Sequence, residues 1–253
     1  MKTKKTMVIL IATVFAFVLL FSCILLFSVK KVETKFTVAT DIETQELEDR
    51  LDLYCGENLL FFDCVEIVNL LKEYPYFELV SVEKQYPNVI NVCIKERLET
   101  YYLVTEDKVY VTDKDGILLK VINTSDFSGN VSREVITLSF EGVNFSEQML
   151  GTKIVCDKQE LFDVVLVMAK SVDLTDCIKS INVINAPEQQ DVYFSTYTGV
   201  NILVTQALVR GEDKTVAGFN AYNNKTDDYL KTYNNIIVVL KDDGTILPIW
   251  TDK

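Results

Sequence analysis

The chain has 253 residues and no histidine. That rules out a Ser-His-Asp triad, a Cys-His pair of the sortase or papain type and an HExxH metal helix. Proline and glycine are scarce, with 4 and 9 copies, so no low-complexity linker separates parts of the chain, and no internal repeat is visible. Tryptophan occurs once, at Trp250. Basic charge is also short, with 25 Lys and Arg against 37 Asp and Glu and a net charge of −12. Three of those lysines lie in residues 1–29, which hold no acid, so the remainder is formally −15. Nucleic acid and anionic headgroups are poor partners for such a body.

Long apolar runs are absent too, with one exception. Met7 to Val29, MVILIATVFAFVLLFSCILLFSV, carries no charge and follows Lys2, Lys4 and Lys5. At about 1.5 Å of rise per residue it measures roughly 34 Å, enough for a hydrocarbon core of ~30 Å. A secretory signal has a shorter apolar region ending in a small-residue cleavage site, so the expectation is an uncleaved membrane helix over residues 7–29. Leu20-Phe21-Ser22-Cys23 faintly matches a lipoprotein signal, but the apolar run continues past the cysteine. Lysines flank both sides, at Lys2, Lys4 and Lys5 and at Lys30, Lys31 and Lys35, so their count does not orient the helix. A short tail (residues 1–6) before a large body is the usual single-pass type II arrangement, with the body outside the cytoplasm.

Other signs of chemistry are weak. Outside the apolar run the cysteines are Cys55, Cys64, Cys93, Cys156 and Cys177, an odd set without a CxxC pair. Free buried thiols or one bridge such as Cys55 to Cys64 both fit. Ser81-Val82-Glu83-Lys84 and Ser28-Val29-Lys30-Lys31 read S-x-x-K, a motif that needs a helix to lay lysine over serine. Ser81 and Lys84 fall on an expected strand, where positions three apart face opposite sides, and no Lys-Thr-Gly accompanies them. Carboxylate groups such as Asp227-Asp228, Asp242-Asp243 and Glu46/Glu48/Asp49 could serve glycan hydrolysis but read more simply as solvated turns and faces. Asp113-x-Asp115-Gly116 lacks the remaining ligands of a calcium loop. Asn123, Asn130, Asn144 and Asn224 begin N-x-Ser/Thr sequons, which arise by chance in a chain this rich in Asn. No catalytic, cofactor or metal site is expected.

The body reads first as strand, helix, helix, strand, strand. Lys35 to Thr40 is β-branched, and Asp41 or Thr44 can cap a helix carrying Leu47, Leu51 and Tyr54 that ends at Gly56. Asp63 opens a second helix with Val65, Val68 and Leu71 as its apolar face and Ile67 and Leu70 beside them, stopped by Pro75. Phe77, Leu79 and Ser81 then alternate with Val80 and Val82. After Tyr86-Pro87-Asn88, Ile90, Val92 and Ile94 alternate again.

The string Gly56-x-Asn58-Leu59, Asp63, Leu71, Pro75, Val80-x-Val82-x-Lys84-x-Tyr86-Pro87 and Ile90-x-Val92-x-Ile94-x-Glu96-Arg97 resembles the POTRA domain of the bacterial cell-division proteins FtsQ and DivIB. Val109 to Leu118 is similar to the hairpin that opens that family's second domain. Val38-Ala39-Thr40 stands where the family often has glycine, and Leu98-Glu99 replaces a proline-containing stretch. The resemblance implies a non-enzymatic scaffold at the division septum. Its partners would be FtsL and FtsB or DivIC-type proteins outside the membrane, and beyond them septal wall synthases. A membrane-anchored sensor or ligand-binding protein is the alternative, and a tethered wall hydrolase using carboxylates is a weaker one.

The second half has its own pattern. Asp115-Gly116 is a strong hairpin turn between Val109, Val111 and Ile117, Leu119. Val135 to Phe140 reads as a strand, and Asp157 can cap an amphipathic helix with Leu161, Val164, Val165 and Met168. Ile181–Ile184, Val192–Ser195 and Val200–Val204 read as strands. Asp213 to Tyr233 reads as a polar helix weakened by Gly218. Ile236 to Leu240 is a buried strand, and Asp243-Gly244 turns the chain back through Ile246 to Trp250. Pro248 cannot donate to a ladder, so this last strand belongs at an edge or is irregular. Ile236, Val238, Leu240, Ile246, Ile249 and Trp250 are the candidate partner-binding residues, through strand addition or a docked helix; the alternative is that Trp250 simply closes the domain's own core.

The expected class is α+β. A transmembrane helix (7–29) precedes a β-α-α-β-β POTRA domain (30–97). A mixed, largely antiparallel β domain (98–253) follows, with helices on one face.

Overall fold

The computed structural model describes residues 2–37, 44–127, 135–172, 177–187, 189–225 and 232–252. The chain divides into two units, Met1–Arg97 and Leu98–Lys253. Val38 to Thr40, Asp41, the Asn130 sequon and Asp227-Asp228 lie outside the described residues.

The first unit begins with α1 (Lys2–Leu26), followed by β1 (Lys31–Phe36), α2 (Gln45–Asp52), α3 (Val65–Leu71), β2 (Phe77–Gln85) and β3 (Val89–Glu96). Its sheet has the order β1-β3-β2, with β1 parallel and β2 antiparallel to β3. The central strand supplies the middle of the core, since Ile90, Val92 and Ile94 are all fully buried. Leu47 and Leu51 of α2 and Ile67, Leu70 and Leu71 of α3 close over them.

Several local expectations shift. The first strand runs over residues 31–36 rather than 35–40, because its length is set by its register against β3, Lys31 opposite Val89 through Phe36 opposite Ile94. Val65 and Val68 are exposed. The buried face of α3 is Ile67, Leu70 and Leu71, whose i, i+3, i+4 spacing places all three on one side. A register shift between Leu79 and Ser81 leaves Val80 as an extra, exposed residue. Strict alternation therefore breaks, and Leu79 and Val82 both pack on the core. Thr44 is the N-cap of α2 but bonds the Glu48 carboxylate rather than a backbone N–H. Asp63 sits one residue before the Cys64 cap of α3, and its carboxylate accepts from Val65 N at 3.0 Å.

Helix α1 stops at Leu26, three residues short of the apolar run. Val29 is buried in the core of the first unit, where its N–H donates to Glu57 O at 2.8 Å. Among the described residues no helix is long and apolar enough to cross a membrane.

The second unit contains β4 (Tyr101–Val104), β5 (Lys108–Thr112), β6 (Leu118–Asn123), β7 (Ile136–Glu141), α4 (Gln159–Lys170), β8 (Ile178–Ala186), β9 (Gln189–Thr196), β10 (Asn201–Val204), α5 (Gly211–Asn223), β11 (Asn235–Leu240) and β12 (Ile246–Thr251). One sheet holds the nine strands in the order β12-β11-β10-β9-β8-β7-β4-β5-β6. It is less antiparallel than the turn signals suggest, since β4 with β7, β7 with β8 and β10 with β11 run parallel. Parallel neighbours require a crossover. Helix α4 supplies one between β7 and β8, and α5 supplies another between β10 and β11.

Both helices pack into one core with Leu103, Leu138, Ile181, Phe194, Ile202, Ile236 and Val238. They also meet each other, because a Cβ built on Gly211 would lie 2.8 Å from Met168 Sδ. They therefore cover the same face. Asp157 does not cap α4. Its carboxylate accepts from Asn144 N and Nδ2 at 2.9 and 3.1 Å, and Lys158 takes the cap position. Gly218, read as a weakness in α5, is a packing requirement: a Cβ there would sit 2.7 Å from Ile202 Cγ2 and 2.9 Å from Val238 Cγ2. Helix and sheet can approach so closely only at glycine. Cys55 and Cys64 are not bridged to each other.

Candidate partner interface

The last hairpin is built from a turn outward. Gly244 adopts φ +82°, its N–H donates to Lys241 O, and the Asp243 carboxylate accepts from Thr245 N at 2.9 Å. Those bonds favour the ionised acid and hold Asp243 below the usual carboxylate range. The turn sets an antiparallel register from Leu240 opposite Ile246 to Asn235 opposite Thr251, with Val238 facing Pro248 and Ile236 facing Trp250. Strand β12 is outermost in the sheet, so its far edge has no partner strand among the described residues.

Residues two apart share a face, which sorts the six candidates. Ile236, Val238, Leu240, Ile246 and Trp250 fall with Pro248 on the side covered by α5. Ile236 and Val238 are fully buried, while Ile246 and Trp250 are half-buried against the core. The Trp250 ring meets Tyr233 edge-on with centroids 6.4 Å apart. Ile249 alone points to the opposite face and is 40% exposed.

That opposite face carries residues the sequence reading left out. Ile237 and Val239 lie across from Ile249 and Leu247, and Leu203 of β10 continues the row from Ile237. All except Ile249 are half-exposed, and neither helix covers them. The run Ile236-Ile237-Val238-Val239-Leu240 is apolar at every position, so its sequence cannot reveal that only one face is buried.

Two cations fix this end of the sheet. Arg210, in the left-handed conformation at φ +53°, donates from Nε to Asp213 at 2.8 Å and from Nη1 to Gly244 O at 2.9 Å, tying the hairpin turn to the start of α5. Lys214 is almost fully buried, and its Nζ donates to Thr205 O at 2.5 Å and Gln206 O at 3.0 Å. Burial lowers its pKa, partly opposed by the Asp191 carboxylate. Asp191 in turn accepts from Gln206 N at 2.9 Å, and Thr205 Oγ1 donates to Val238 O at 3.2 Å. Neither cation carries a motif that marks it in the sequence.

Other flagged groups are structural. Asp113 accepts from Asp115 N and Ile117 N, both at 2.9 Å, as a hairpin turn. Ser81 and Lys84 lie on β2, and Lys84 Nζ donates to Phe62 O at 2.6 Å. Among the described residues no group of three or more acids and cysteines gathers to hold a metal.

Residues 27–97 match the family model of the POTRA domain, FtsQ-type. Cell division protein DivIB of Clostridium acetobutylicum is 24% identical over 185 residues, 66% of this chain and 71% of the relative. The DivIB of Clostridium botulinum strain Hall is 25% identical over 141 residues, 52% of this chain and 54% of that protein. Residues 27–97 thus carry an FtsQ-type POTRA domain, and the chain is similar to DivIB proteins over 66% of its length. The POTRA match begins at residue 27, the residue after the end of α1.

Proposed function

We propose that the chain is a non-enzymatic division scaffold, held in the cell membrane by α1 with its body outside the cytoplasm and concentrated at the septum. Tail (residues 1–6), span (from Met7), POTRA domain (ending at Arg97) and β domain (98–253) form one order of modules. The partners are FtsL and FtsB or DivIC-type proteins, and through them septal wall synthases. Support for the span comes from the side chains of α1. Leu10, Phe15, Phe17, Leu20 and Phe21 are all more than 60% exposed, and a helix apolar all round is stable only inside protein or lipid. Confinement to one membrane raises the effective concentration of every co-anchored partner, so modest interfaces add to a stable complex.

The observation that carries the partner role is the β12 edge beside an apolar open face of Leu203, Ile237, Val239, Leu247 and Ile249. An added strand would satisfy the edge amides while its alternate side chains cover that face. The test is titration of full-length protein, co-reconstituted in lipid, with FtsL/DivIC-type partners. Ile249→Lys and Leu247→Lys should each weaken binding about tenfold, near 1.4 kcal/mol. Unchanged affinity in both variants would remove this interface, and a fluorescent fusion spread evenly around the envelope would remove the septal role.

A further inference from the structure

The end of α1 is stitched into one end of the POTRA fold. Phe27 O accepts from Leu59 N at 2.7 Å, Val29 O from Gly56 N at 2.8 Å, and Lys30 N donates to Asn88 O at 2.8 Å. Ser28 bridges to Asn58, and its hydroxyl donates to Gly56 O. The Phe27 ring meets Tyr86 edge-on at 6.0 Å. Two loops therefore surround the point where the helix leaves the domain: residues 56–61 between α2 and α3, and the β2–β3 turn at Tyr86.

Those loops expose apolar side chains beside the polar Glu57 and Gln85. Phe61 is 84% exposed, Tyr86 57% and Leu60 44%. Beyond α1, the exposed aromatic side chains among the described residues are Phe61, Tyr86 and Tyr197, so two of the three sit within a few bonds of the helix exit. Phe61 is also held from behind. Its N–H donates to Asn58 O, the neighbouring Phe62 is buried, and Lys84 Nζ clamps Phe62 O at 2.6 Å. Lys30 is exposed just past the helix, where its long stem can lie along apolar surface with the ammonium group at phosphate level, while Lys31 pairs with Glu33 at 3.1 Å. Glu57 is the single acid in the 56–61 loop.

We infer that this end of the POTRA domain rests on the bilayer surface, with Phe61 and Leu60 seated at the acyl boundary and Tyr86 at headgroup level. The occupant is lipid. An exposed aromatic cluster around the exit of an apolar helix has the composition of an interfacial belt, and the hydrogen bonds between residues 27–30 and 56–59 leave the loop no way to stand off from the helix end. This rests on α1 being the membrane span. Seating both elements together fixes the height and tilt of the domain above the membrane.

The full-length chain is reconstituted in vesicles of phosphatidylglycerol and phosphatidylethanolamine, with Trp250→Phe removing the native reporter. Single tryptophans are introduced as Phe61→Trp, Val80→Trp and Leu20→Trp. Val80 is exposed on β2, six residues and roughly 20 Å along the strand from Tyr86. With phospholipids brominated near the headgroup end of the acyl chain, Phe61→Trp should emit at shorter wavelength and lose most of its intensity, while Val80→Trp stays solvent-like and unquenched. Solvent-like, unquenched emission from Phe61→Trp beside a quenched Leu20→Trp overturns the docking and leaves the span intact. An unquenched Leu20→Trp overturns the span itself. Equal quenching at positions 61 and 80 overturns the specific seating.

Discussion

Two hairpins of the nine-stranded sheet turn at Asp-Gly, and they have opposite fates. At Asp115-Gly116 the glycine, with φ +77°, lies under α4, where a Cβ would come 2.8 Å from Leu166 Cδ1 and 3.2 Å from Phe162 Cε1. The adjoining strand is closed on both faces, since Val109, Tyr110, Val111, Leu118 and Leu119 are all buried, and Lys170 pairs with Asp115 at 2.6 Å. At Asp243-Gly244 the glycine has φ +82° but nothing within 4 Å of a Cβ, and β12 keeps a free edge. The same dipeptide makes the same local turn. What differs is whether a helix closes over it: although β6 and β12 are the two outermost strands, α4 packs on the first turn and no atom lies within 4 Å of a Cβ at the second.

This contrast can be broken by substitution. Phe162→Ala should cost about 3–5 kcal/mol in chemical denaturation, because the ring is fully buried against Phe140 and Phe145 and its loss leaves a cavity. Gly116→Ala combines an unfavourable positive φ with overpacking beneath α4, for an expected loss of about 2–4 kcal/mol. Gly244→Ala meets the φ penalty without the clash and should cost only about 1 kcal/mol. Equal losses for the two glycine variants would mean that α4 does not close on the first turn.

The smallest effect is acid sensitivity. Hydrogen bonds from Thr245 hold the Asp243 pKa below its unfolded value. A depressed carboxylate stabilises the fold fully above the unfolded pKa, near 4, and loses that contribution as pH falls through the folded value. The Thr245 amide resonance should therefore stay fixed between pH 7 and 5 and move only below about pH 4. A shift centred near neutrality would contradict the bond.

The first unit was more legible than the second, for a physical reason. Ile90, Val92 and Ile94 alternate on a strand with one buried face, and helix spacing placed Leu47 and Leu51 correctly. Where a bulge inserted Val80, or where Val65 and Val68 matched helical spacing as well as Ile67 does, periodicity pointed to the wrong face. In the second unit the pairings of β4 with β7, β7 with β8 and β10 with β11 join segments separated by long loops or whole helices. No local pattern records such distant partners. The six candidate residues share one hairpin but fall on both of its faces, with Ile249 alone pointing away from α5.

By itself, the sequence determined the elements that depend on neighbours along the chain. These are the apolar helix from Met7, the Asp-Gly turns, the alternating strand at Ile90 to Ile94 and an edge strand at Pro248. Each reflects backbone geometry or side-chain period acting over a few residues. Tertiary packing alone decided that Gly218 lets α5 touch Val238, that Lys214 is buried under the Thr205 turn, and that Val29 leaves the apolar run to join the POTRA core. Those outcomes depend on which distant surface closes over a residue, and a side chain carries no local mark of that.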